Sequence, residues 1–405
     1  MEYGKKELER SLLMTWHWFR KSGVMMPEDG SWGVGERIML TSGNAAMEHI
    51  LTSFPAWTPR GEFYVIEQRR ADCCMQSAFL FLLLHKLFGR KAPFRATAEN
   101  LLDFLYFRSG LLNRAENTPL SGLWDWSHIK RSHVIYFDDD SWMLFLALKI
   151  AKNFPALDRK YGMRKFALFL ADRLLEGAEK YFAGKADPEK DKRELGFYWQ
   201  GKILLPHWGS LVCMALAEAC RATGEEKYLS FAEHYETFLL EKADSFTSSE
   251  FGYALMGSSC VWSVSGREKS LKCAKLFAGK ILSIMDKKTG CIPSEHYETP
   301  SGKHLADTIY TLNWALLGLQ NMAETDRACK EAGEKVLSLL LQIQDRTKKD
   351  FLYGCWRGMY DMEKKQWGGG DLYEGGANSL YSGWTNAPIA WAAAFELLRS
   401  SLMKF

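Results

Sequence analysis

Three consecutive aspartates, Asp138, Asp139 and Asp140, stand directly before a strongly apolar stretch of the chain. Aspartate is favoured at the start of a helix, where free N–H groups and the helix dipole attract negative charge, but one carboxylate is enough for that purpose. Three adjacent acids repel one another, and burial raises the pKa of a carboxyl group, so at least one of them should carry a proton. A protonated carboxyl group beside an ionised one is the combination that cleaves glycosidic bonds.

Residues 141–152, which follow the aspartates, are too apolar for a helix that lies on the surface. We therefore expect a buried helix whose acidic N-terminus ends at a cavity or cleft. Retaining glycosidases hold their two carboxyl groups roughly 5–5.5 Å apart and inverting ones about 6.5–9.5 Å, and neighbouring residues at a helix start can reach the shorter distance. Asp138, Asp139 and Asp140 are thus predicted to supply a catalytic pair or to contact a substrate, with helix capping or simple sugar binding as the alternative.

Aromatic residues make up 14% of the sequence, with 15 tryptophans, 16 tyrosines and 24 phenylalanines. A tryptophan is costly to bury completely because its N–H needs a partner, so this number suggests a lined pocket as well as a core. Flat rings in glycine-containing loops can pack against a sugar ring. For any one tryptophan, packing between helices is an equally good explanation. The candidate sugar contacts are the tryptophans Trp124, Trp126, Trp142, Trp199 and Trp208, together with Asp125, which stands between two of them.

Arg70 and Asp72 open another apolar segment and are further candidates for substrate contacts. Arginine binds carboxylates through two parallel hydrogen bonds, which would suit an acidic sugar. The structural alternative is an ion pair with Glu67 or with an aspartate, because a buried arginine is costly without a partner. Asp307 and Trp384 come from the last two helical hairpins and would reach the same end of the molecule if the helices close into a ring, as would Asp371, Glu374 and Asn378.

His207 is predicted to contact the substrate because it stands near the start of an apolar segment. A pair of histidines could also move a proton between two positions of a sugar, which is a different chemistry from hydrolysis. A structural hydrogen bond is the more common role of a single histidine. The other histidines considered for proton transfer are His133, His296 and His304.

The bulk composition excludes several classes of protein. The net charge of +3 and the absence of a basic stripe or a phosphate-binding loop give no support for a nucleic-acid partner, and no apolar run is long enough for a clear membrane span. We find no metal-ligand spacing and expect neither a metal nor a cofactor. The nine cysteines lie mostly in apolar runs and are expected to be reduced, which favours a cytoplasmic location. The N-terminus lacks the pattern of a signal peptide, although one that had been removed would leave no trace.

Helical periodicity dominates the chain, and it alternates between two kinds of segment. Apolar segments lie at 71–88, 141–152, 210–223, 308–322 and 388–399. Amphipathic segments lie between them at 93–107, 163–181, 227–242, 267–285 and 325–341. This alternation predicts an all-α toroid with an inner and an outer ring of helices. Glycine- and aromatic-rich segments, such as 196–201 and 251–253, precede inner helices and should gather at one end. No linker divides the chain, so residues 1–405 are expected to form a single domain.

Two stretches of the sequence resemble a known enzyme family. Asp138-Asp139-x-x-Trp142, preceded by Tyr136-Phe137, is similar to the paired-aspartate motif of the family 76 glycoside hydrolases. The segments 195–202, 215–218 and 223–229 resemble that family's glycine–tryptophan loop, inner helix and Thr-Gly-x-x-x-Tyr-Leu turn. The resemblance is good from about 122 to 240. The N-terminal third, including Glu36-Arg37 and 67–72, has no counterpart that we identify, and the third acid, Asp140, departs from the pattern.

The resemblance implies an (α/α)6 barrel, the six-hairpin toroid, and an activity like that of α-1,6-mannanases. One of Asp138 and Asp139 would then be the nucleophile and the other the acid/base, acting on an oligosaccharide or polysaccharide. Many toroid families share the Thr-Gly turn, so this part of the match supports the fold rather than the activity. A sugar epimerase or isomerase that relies on histidines, and a non-catalytic carbohydrate-binding protein, remain as alternatives.

Overall fold

The computed structural model describes residues 3–41, 49, 51–54, 56–129, 133–297, 299–369 and 374–405. Within these residues the α-helices are α1 (Lys5–Lys21), α2 (Ala71–Phe88), α3 (Phe94–Asp103), α4 (Phe137–Asn153), α5 (Pro155–Tyr161), α6 (Met163–Phe182), α7 (Pro188–Leu195), α8 (Pro206–Thr223), α9 (Ser230–Lys242), α10 (Ser248–Ser265), α11 (Glu268–Ile284), α12 (Leu312–Met322), α13 (Arg327–Ile343) and α14 (Ala387–Leu398).

Six of the described helices, α2, α4, α8, α10, α12 and α14, form a closed inner ring. Each packs against the next in this order, and α14 packs against α2. A second ring surrounds them, in which α1, α3, α6, α9, α11 and α13 cover α14, α2, α4, α8, α10 and α12 respectively. The chain is therefore an all-α (α/α)6 toroid, and the predicted fold class is confirmed.

The inner helices are buried around almost their whole circumference, which explains their apolar sequences. One inner residue, Lys149 of α4, carries a charge into this ring, and its Nζ lies 3.1 Å from Glu218 Oε2 and donates to the carbonyl of Met403 at 2.9 Å. Helix α2 is long and apolar enough to cross a membrane by length and composition, but 83% of that window is buried inside the toroid.

Two ring helices were missing from the sequence-based prediction. Helix α1 belongs to the outer ring and α10 to the inner ring, and 251–253, which we expected before an inner helix, lies inside α10. This helix is rich in serine and glycine, so its sequence lacks a continuous apolar pattern. The small residues allow close packing: a Cβ on Gly257 would lie 2.5 Å from the carbonyl oxygen of Ser210, and one on Gly252 would lie 2.9 Å from Ala315 N.

Short strands occupy the loops between the helices, although the sequence shows little strand-like alternation. They are β1 (Arg37–Leu40), β2 (Trp57–Pro59), β3 (Phe63–Ile66), β4 (Val134–Tyr136), β5 (Tyr198–Gln200), β6 (Ser294–His296), β7 (Thr299–Gly302), β8 (Leu305–Asp307), β9 (Met359–Asp361), β10 (Gln366–Trp367) and β11 (Ser379–Tyr381).

Among the described strands, pairing gives four small sheets, with the orders β11-β1-β3-β2, β10-β9-β8, β4-β5 and β6-β7. Strand β1 pairs antiparallel with β11, which places Arg37 opposite Tyr381 and joins the N-terminal part of the chain to its C-terminal part. Strand β4 pairs parallel with β5 and leads directly into α4, the helix that begins with the three aspartates. The sheets therefore hold the loops that precede the inner helices.

Candidate active site

A cavity of about 270 Å³ lies where inner helices begin. Residues from the start of α2, α4 and α8 line it, together with residues just before α12 and α14. Most of its wall is aromatic. The lining residues are Arg70, Trp126, Tyr136, Asp138, Asp139, His207, Trp208, Tyr297, Ile309, Tyr310, Glu374, Tyr381 and Trp384.

Asp138 and Asp139 lie side by side in the first turn of α4, and both line the cavity. They are 7% and 5% exposed, so both carboxyl groups are largely withdrawn from solvent. No donor among the described residues reaches Asp138 Oδ1 or Asp139 Oδ2. A buried carboxyl oxygen without a donor is costly, and a ligand that supplies hydroxyl groups would relieve this cost.

Asp139 is held by Arg70, which lies at the N-cap of α2 and is itself buried. The Nη2 of Arg70 donates to Asp139 Oδ1 in a short contact and to Asp72 Oδ2 at 3.2 Å, while its Nε donates to Asp72 Oδ1 at 3.1 Å. Trp384 Nε1 donates to the same Asp72 Oδ2 at 2.6 Å. Arg70 thus makes the ion pair with an aspartate that we expected as the structural alternative, and it also lines the cavity.

Burial changes the pKa of Asp139 and of Asp140. It raises the pKa of Asp139 well above its usual range; Arg70 opposes this effect, while Asp72 and Asp138 add to it. It also raises the pKa of Asp140 well above its usual range, against the opposing N–H of Trp124. Asp139 is therefore suited to carry a proton at the edge of the cavity, where it could act as a general acid.

His207 lies on the other side of Asp138, at the start of α8. Its Nε2 is 3.1 Å from Asp138 Oδ2, and its ring is stacked between Trp208, at 4.4 Å and 13°, and Tyr253, at 4.6 Å and 4°. Its backbone N–H donates to Glu250 Oε2 at 2.9 Å. Burial raises the pKa of Glu250 to about 7, although His207 opposes the shift. The imidazole is thus fixed in orientation, and one edge faces a candidate catalytic carboxylate.

A third carboxylate, Glu374, lines the cavity and is held from three sides. Tyr310 donates its hydroxyl to Glu374 Oε1 at 2.8 Å, Arg37 Nη1 donates to Oε2 at 2.8 Å, and the hydroxyl of Tyr381 makes a short contact with Oε2. Glu374 was only a weak candidate from the sequence, and Tyr136, Tyr297, Tyr310 and Tyr381 were not singled out as site residues. These tyrosines lie in loops and short strands, where no periodic pattern marks the side that faces the cavity.

Several predicted substrate contacts lie behind the wall of the cavity instead of in it. Asp140 accepts a hydrogen bond from the backbone N–H of Trp124 at 3.2 Å, so its role is to fix the loop before α4. Asp125 accepts from His133 Nδ1 at 3.0 Å. Trp124, 4% exposed, packs edge-on against Tyr106. Trp124, Asp125 and Asp140, which we expected to contact a substrate, therefore do not line this cavity.

Trp142, Trp199 and Asp307 do not line the cavity either. Trp142 is fully buried in the centre of the inner ring, against Trp314 and other aromatic side chains. Trp199 stacks on Phe137 at 4.7 Å and lines a separate small pocket on the outside of the ring. Asp307 is fully buried and accepts the backbone N–H groups before α12, as a capping residue does. Asp72 is also fully buried and does not line the cavity; it contacts Arg70 and Trp384 and faces Asp139.

The histidines other than His207 do not line the cavity. His296 stacks behind Tyr310 at 4.0 Å and 1°, and burial lowers its pKa to about 3, with His207 and Lys202 adding to the effect. His133 pairs with Asp125, and His304 follows β7. Asp371 lies outside the described residues. In the part of the chain that the structure describes, no group of histidine, cysteine and acidic residues could hold a metal ion, and all nine cysteines are buried free thiols.

No family profile matches this sequence, and no curated protein matches it significantly. Solved structures with the same fold include cellobiose 2-epimerase from Bacillus thermoamylovorans B4167, at 11% identity and a TM-score of 0.63 over 98% of both chains. A D-mannose isomerase matches at 13% identity and a TM-score of 0.60, also over 98% of both chains.

The α-1,6-mannanase of family 76 from Salegentibacter sp. HEL1_6 matches at 12% identity and a TM-score of 0.55, over 97% of this chain and 99% of that one. A variant of that mannanase, solved with α-1,6-mannotriose, is described as inactive after two neighbouring aspartates were changed to asparagine. At these identities the similarities establish the six-hairpin toroid fold that this chain shares with hydrolases and epimerases alike.

Proposed function

We propose that this protein is a glycoside hydrolase that uses Asp138 and Asp139 as its catalytic pair. The observation that carries the proposal is that two neighbouring carboxyl groups line one cavity, each with a buried oxygen that no donor from the described part of the chain reaches. A glycosidase needs one carboxyl group to protonate the leaving oxygen and a second, ionised one to act as nucleophile or to activate water. The inactive asparagine variant of the Salegentibacter mannanase supports this choice.

The environments of the two groups suggest how the work is divided. Asp139, whose pKa burial raises, would give its proton to the oxygen of the departing sugar. Asp138, with its Oδ2 beside the imidazole of His207, would attack the sugar carbon or activate a water molecule. The aromatic walls, Trp126, Trp208 and Trp384 among them, would pack against the rings of an oligosaccharide or polysaccharide.

A sugar epimerase or isomerase is the second candidate, since His207 lines the cavity and since two of the structures on the same fold are a 2-epimerase and an isomerase. Such a reaction removes a proton from the sugar on one face and returns it, for which a pair of bases is convenient. His296 lies behind Tyr310 and would need that ring to move before it could reach a ligand. The geometry therefore favours hydrolysis by the carboxyl pair over proton transfer by the histidines.

The test is a screen of the wild-type protein and single Asp138→Asn and Asp139→Asn variants on α-mannan oligosaccharides and aryl glycosides. We expect sugar release by the wild type, and a loss of roughly 10²–10⁴-fold in kcat for each variant, because each removes an acid or base without changing shape. Asp350→Asn is the matched control: its carboxylate is exposed beside His17, and its activity should equal that of the wild type.

Reducing sugars incubated with the same proteins in deuterated water separate the alternatives. Deuterium incorporation without hydrolysis, abolished by His207→Gln, would establish an epimerase or isomerase. Binding of oligosaccharides without either reaction would establish a carbohydrate-binding protein. Hydrolysis that survives both aspartate substitutions would contradict the proposed catalytic pair.

A further inference from the structure

A continuous chain of buried charges connects Asp139 to the C-terminal wall of the cavity. Glu36, just before β1, accepts hydrogen bonds through the same Oε1 from Arg37 Nη2 at 2.9 Å and from Arg70 Nη1 at 3.2 Å. Arg70 contacts Asp139, and Arg37 contacts Glu374 at 2.8 Å. The order is Glu374, Arg37, Glu36, Arg70 and Asp139, so acidic and basic side chains alternate from one side of the site to the other.

Glu36 is the least exposed member of this chain and has no access to the cavity. Its side chain is 0% exposed and that of Arg37 is 3% exposed. The backbone carbonyl of Glu36 accepts from both the N–H and the hydroxyl of Ser382, which fixes its position beside the last inner helix. Arg37 also lies over the ring of Tyr381 at 3.7 Å. A carboxylate that is fixed in this way between two arginines is placed to act through them, and not on a ligand.

Arg70 has two effects on Asp139 that oppose each other chemically. It holds the carboxyl group in place, but its positive charge also favours the ionised form, which cannot donate a proton. Glu36 and Asp72 supply negative charge to the same guanidinium. We propose that Glu36 is a positioning residue that offsets the positive charge of Arg70, so that Arg70 holds Asp139 in place while Asp139 keeps its proton. This inference rests on the proposed role of Asp139 as proton donor.

Other titratable groups around Asp139 also affect its protonation. Asp72 of α2 and Asp138 of α4 both face Asp139, and Asp72 is also its hydrogen-bond partner. Tyr136 of β4 faces both Asp138 and Asp139. Cys73 lies among Asp72, Arg70 and Glu36, where burial raises the pKa of its thiol well above the usual range, so it adds no charge. His207 reaches Asp139 only through Asp138. Among the described residues, Arg70 is therefore the cation in direct contact with Asp139, and Glu36 offsets the positive charge of Arg70.

Two substitutions should shift the protonation of Asp139 in opposite directions. Glu36→Gln removes a negative charge, leaves Arg70 less compensated and lowers the pKa of Asp139. The alkaline limb of the kcat/KM profile, which reports loss of the donor proton, should move to lower pH by roughly one unit. Arg37→Gln removes a positive charge and should move the same limb to higher pH. Glu36→Asp, which retains the charge, should restore the wild-type limb.

The matched control is Glu67→Gln, because Glu67 pairs with Arg69 on the neighbouring stretch and does not contact Arg70. Its profile should equal that of the wild type. If Glu36→Gln does not fold, Arg37→Gln tests the proposal by itself, because a purely structural role of these residues predicts no upward shift of the alkaline limb. An unmoved limb in both variants, or a shift of either in the wrong direction, would overturn the proposal.

A second measurement is independent of activity and separates this inference from the proposed function. In protein labelled with ¹³C at the aspartate carboxyl carbons, the Asp139 signal is the one missing from Asp139→Asn. Its titration midpoint should fall in Glu36→Gln and rise in Arg37→Gln, even if the wild type hydrolyses no glycoside. A lack of hydrolysis with these shifts present counts against the hydrolase, while hydrolysis without the shifts counts against the role of Glu36.

Discussion

At the scale of single residues, the tryptophans show how little the residue type says about its role. Trp142 belongs to the motif that resembles the mannanases, yet it is fully buried against Trp314 and Trp391. Trp126 stands in a glycine-containing loop and lines the cavity, with its ring 5.5 Å from the guanidinium of Arg70. The two side chains have the same chemistry, and only their surroundings assign one to the core and the other to the site.

Alanine substitutions of these two tryptophans should therefore have opposite consequences. Trp142→Ala should lower the free energy of unfolding by about 3–5 kcal/mol, because it leaves a large cavity in the inner ring. Trp126→Ala should leave the unfolding midpoint nearly unchanged and weaken oligosaccharide binding roughly tenfold, since a stacking face is lost. Urea denaturation and titration calorimetry measure the two effects. Unchanged sugar binding by Trp126→Ala would exclude it as a sugar contact.

At the scale of helices, close packing between the rings depends on glycines at particular positions. Gly209 lies in α8 directly against the fully buried Tyr235 of α9, and a Cβ there would approach the phenol ring to 2.1 Å. Gly279 lies in α11 with open space around it, so its missing side chain serves no packing purpose. The sequence shows two helical glycines and does not distinguish them.

Alanine at these two positions should change stability in opposite directions. Gly209→Ala forces Tyr235 to move and should cost about 1–3 kcal/mol of unfolding free energy, as overpacked cores do. Gly279→Ala should add about 0.5–1 kcal/mol, because alanine favours the helix and meets no neighbour. Both values come from urea denaturation followed by circular dichroism. A stabilising Gly209→Ala would mean that α8 and α9 can separate without loss.

At the scale of the whole molecule, closure of the ring links the two ends of the chain. Helix α14 packs against α2, β11 pairs with β1, and Gln344 at the end of α13 donates to the hydroxyl of Thr15 in α1 at 3.0 Å. Each inner helix is thus covered by two inner neighbours and an outer helix. That residues 1–405 form a single domain stays a prediction.

We expect this closure to make unfolding cooperative. Tryptophan fluorescence and far-ultraviolet circular dichroism should report the same urea midpoint, because the loss of one hairpin exposes the apolar faces of its neighbours. Arg37→Gln, which weakens the contact between β1 and the C-terminal loop, should lower both midpoints together. Two separate transitions would show that the hairpins form more than one folding unit.

The sequence by itself determined the fold class, and it predicts where the site lies. The alternation of apolar and amphipathic helices indicates a toroid because an inner ring buries each of its helices on all sides, and the aspartates in the first turn of α4 mark the end where the inner helices begin. Helix α10 was not predicted, because its serines and glycines allow close packing but interrupt the apolar pattern by which the other inner helices were recognised.

Only the tertiary structure decided which residues form the cavity. It placed Asp140 and Trp142 behind the wall and brought Tyr310 and Glu374 into it, although no local pattern marks them. It also joined Glu36 to Asp139 through Arg70. Such contacts arise between residues that are far apart in the chain, and the balance of charge on a buried carboxyl group depends on all of them together.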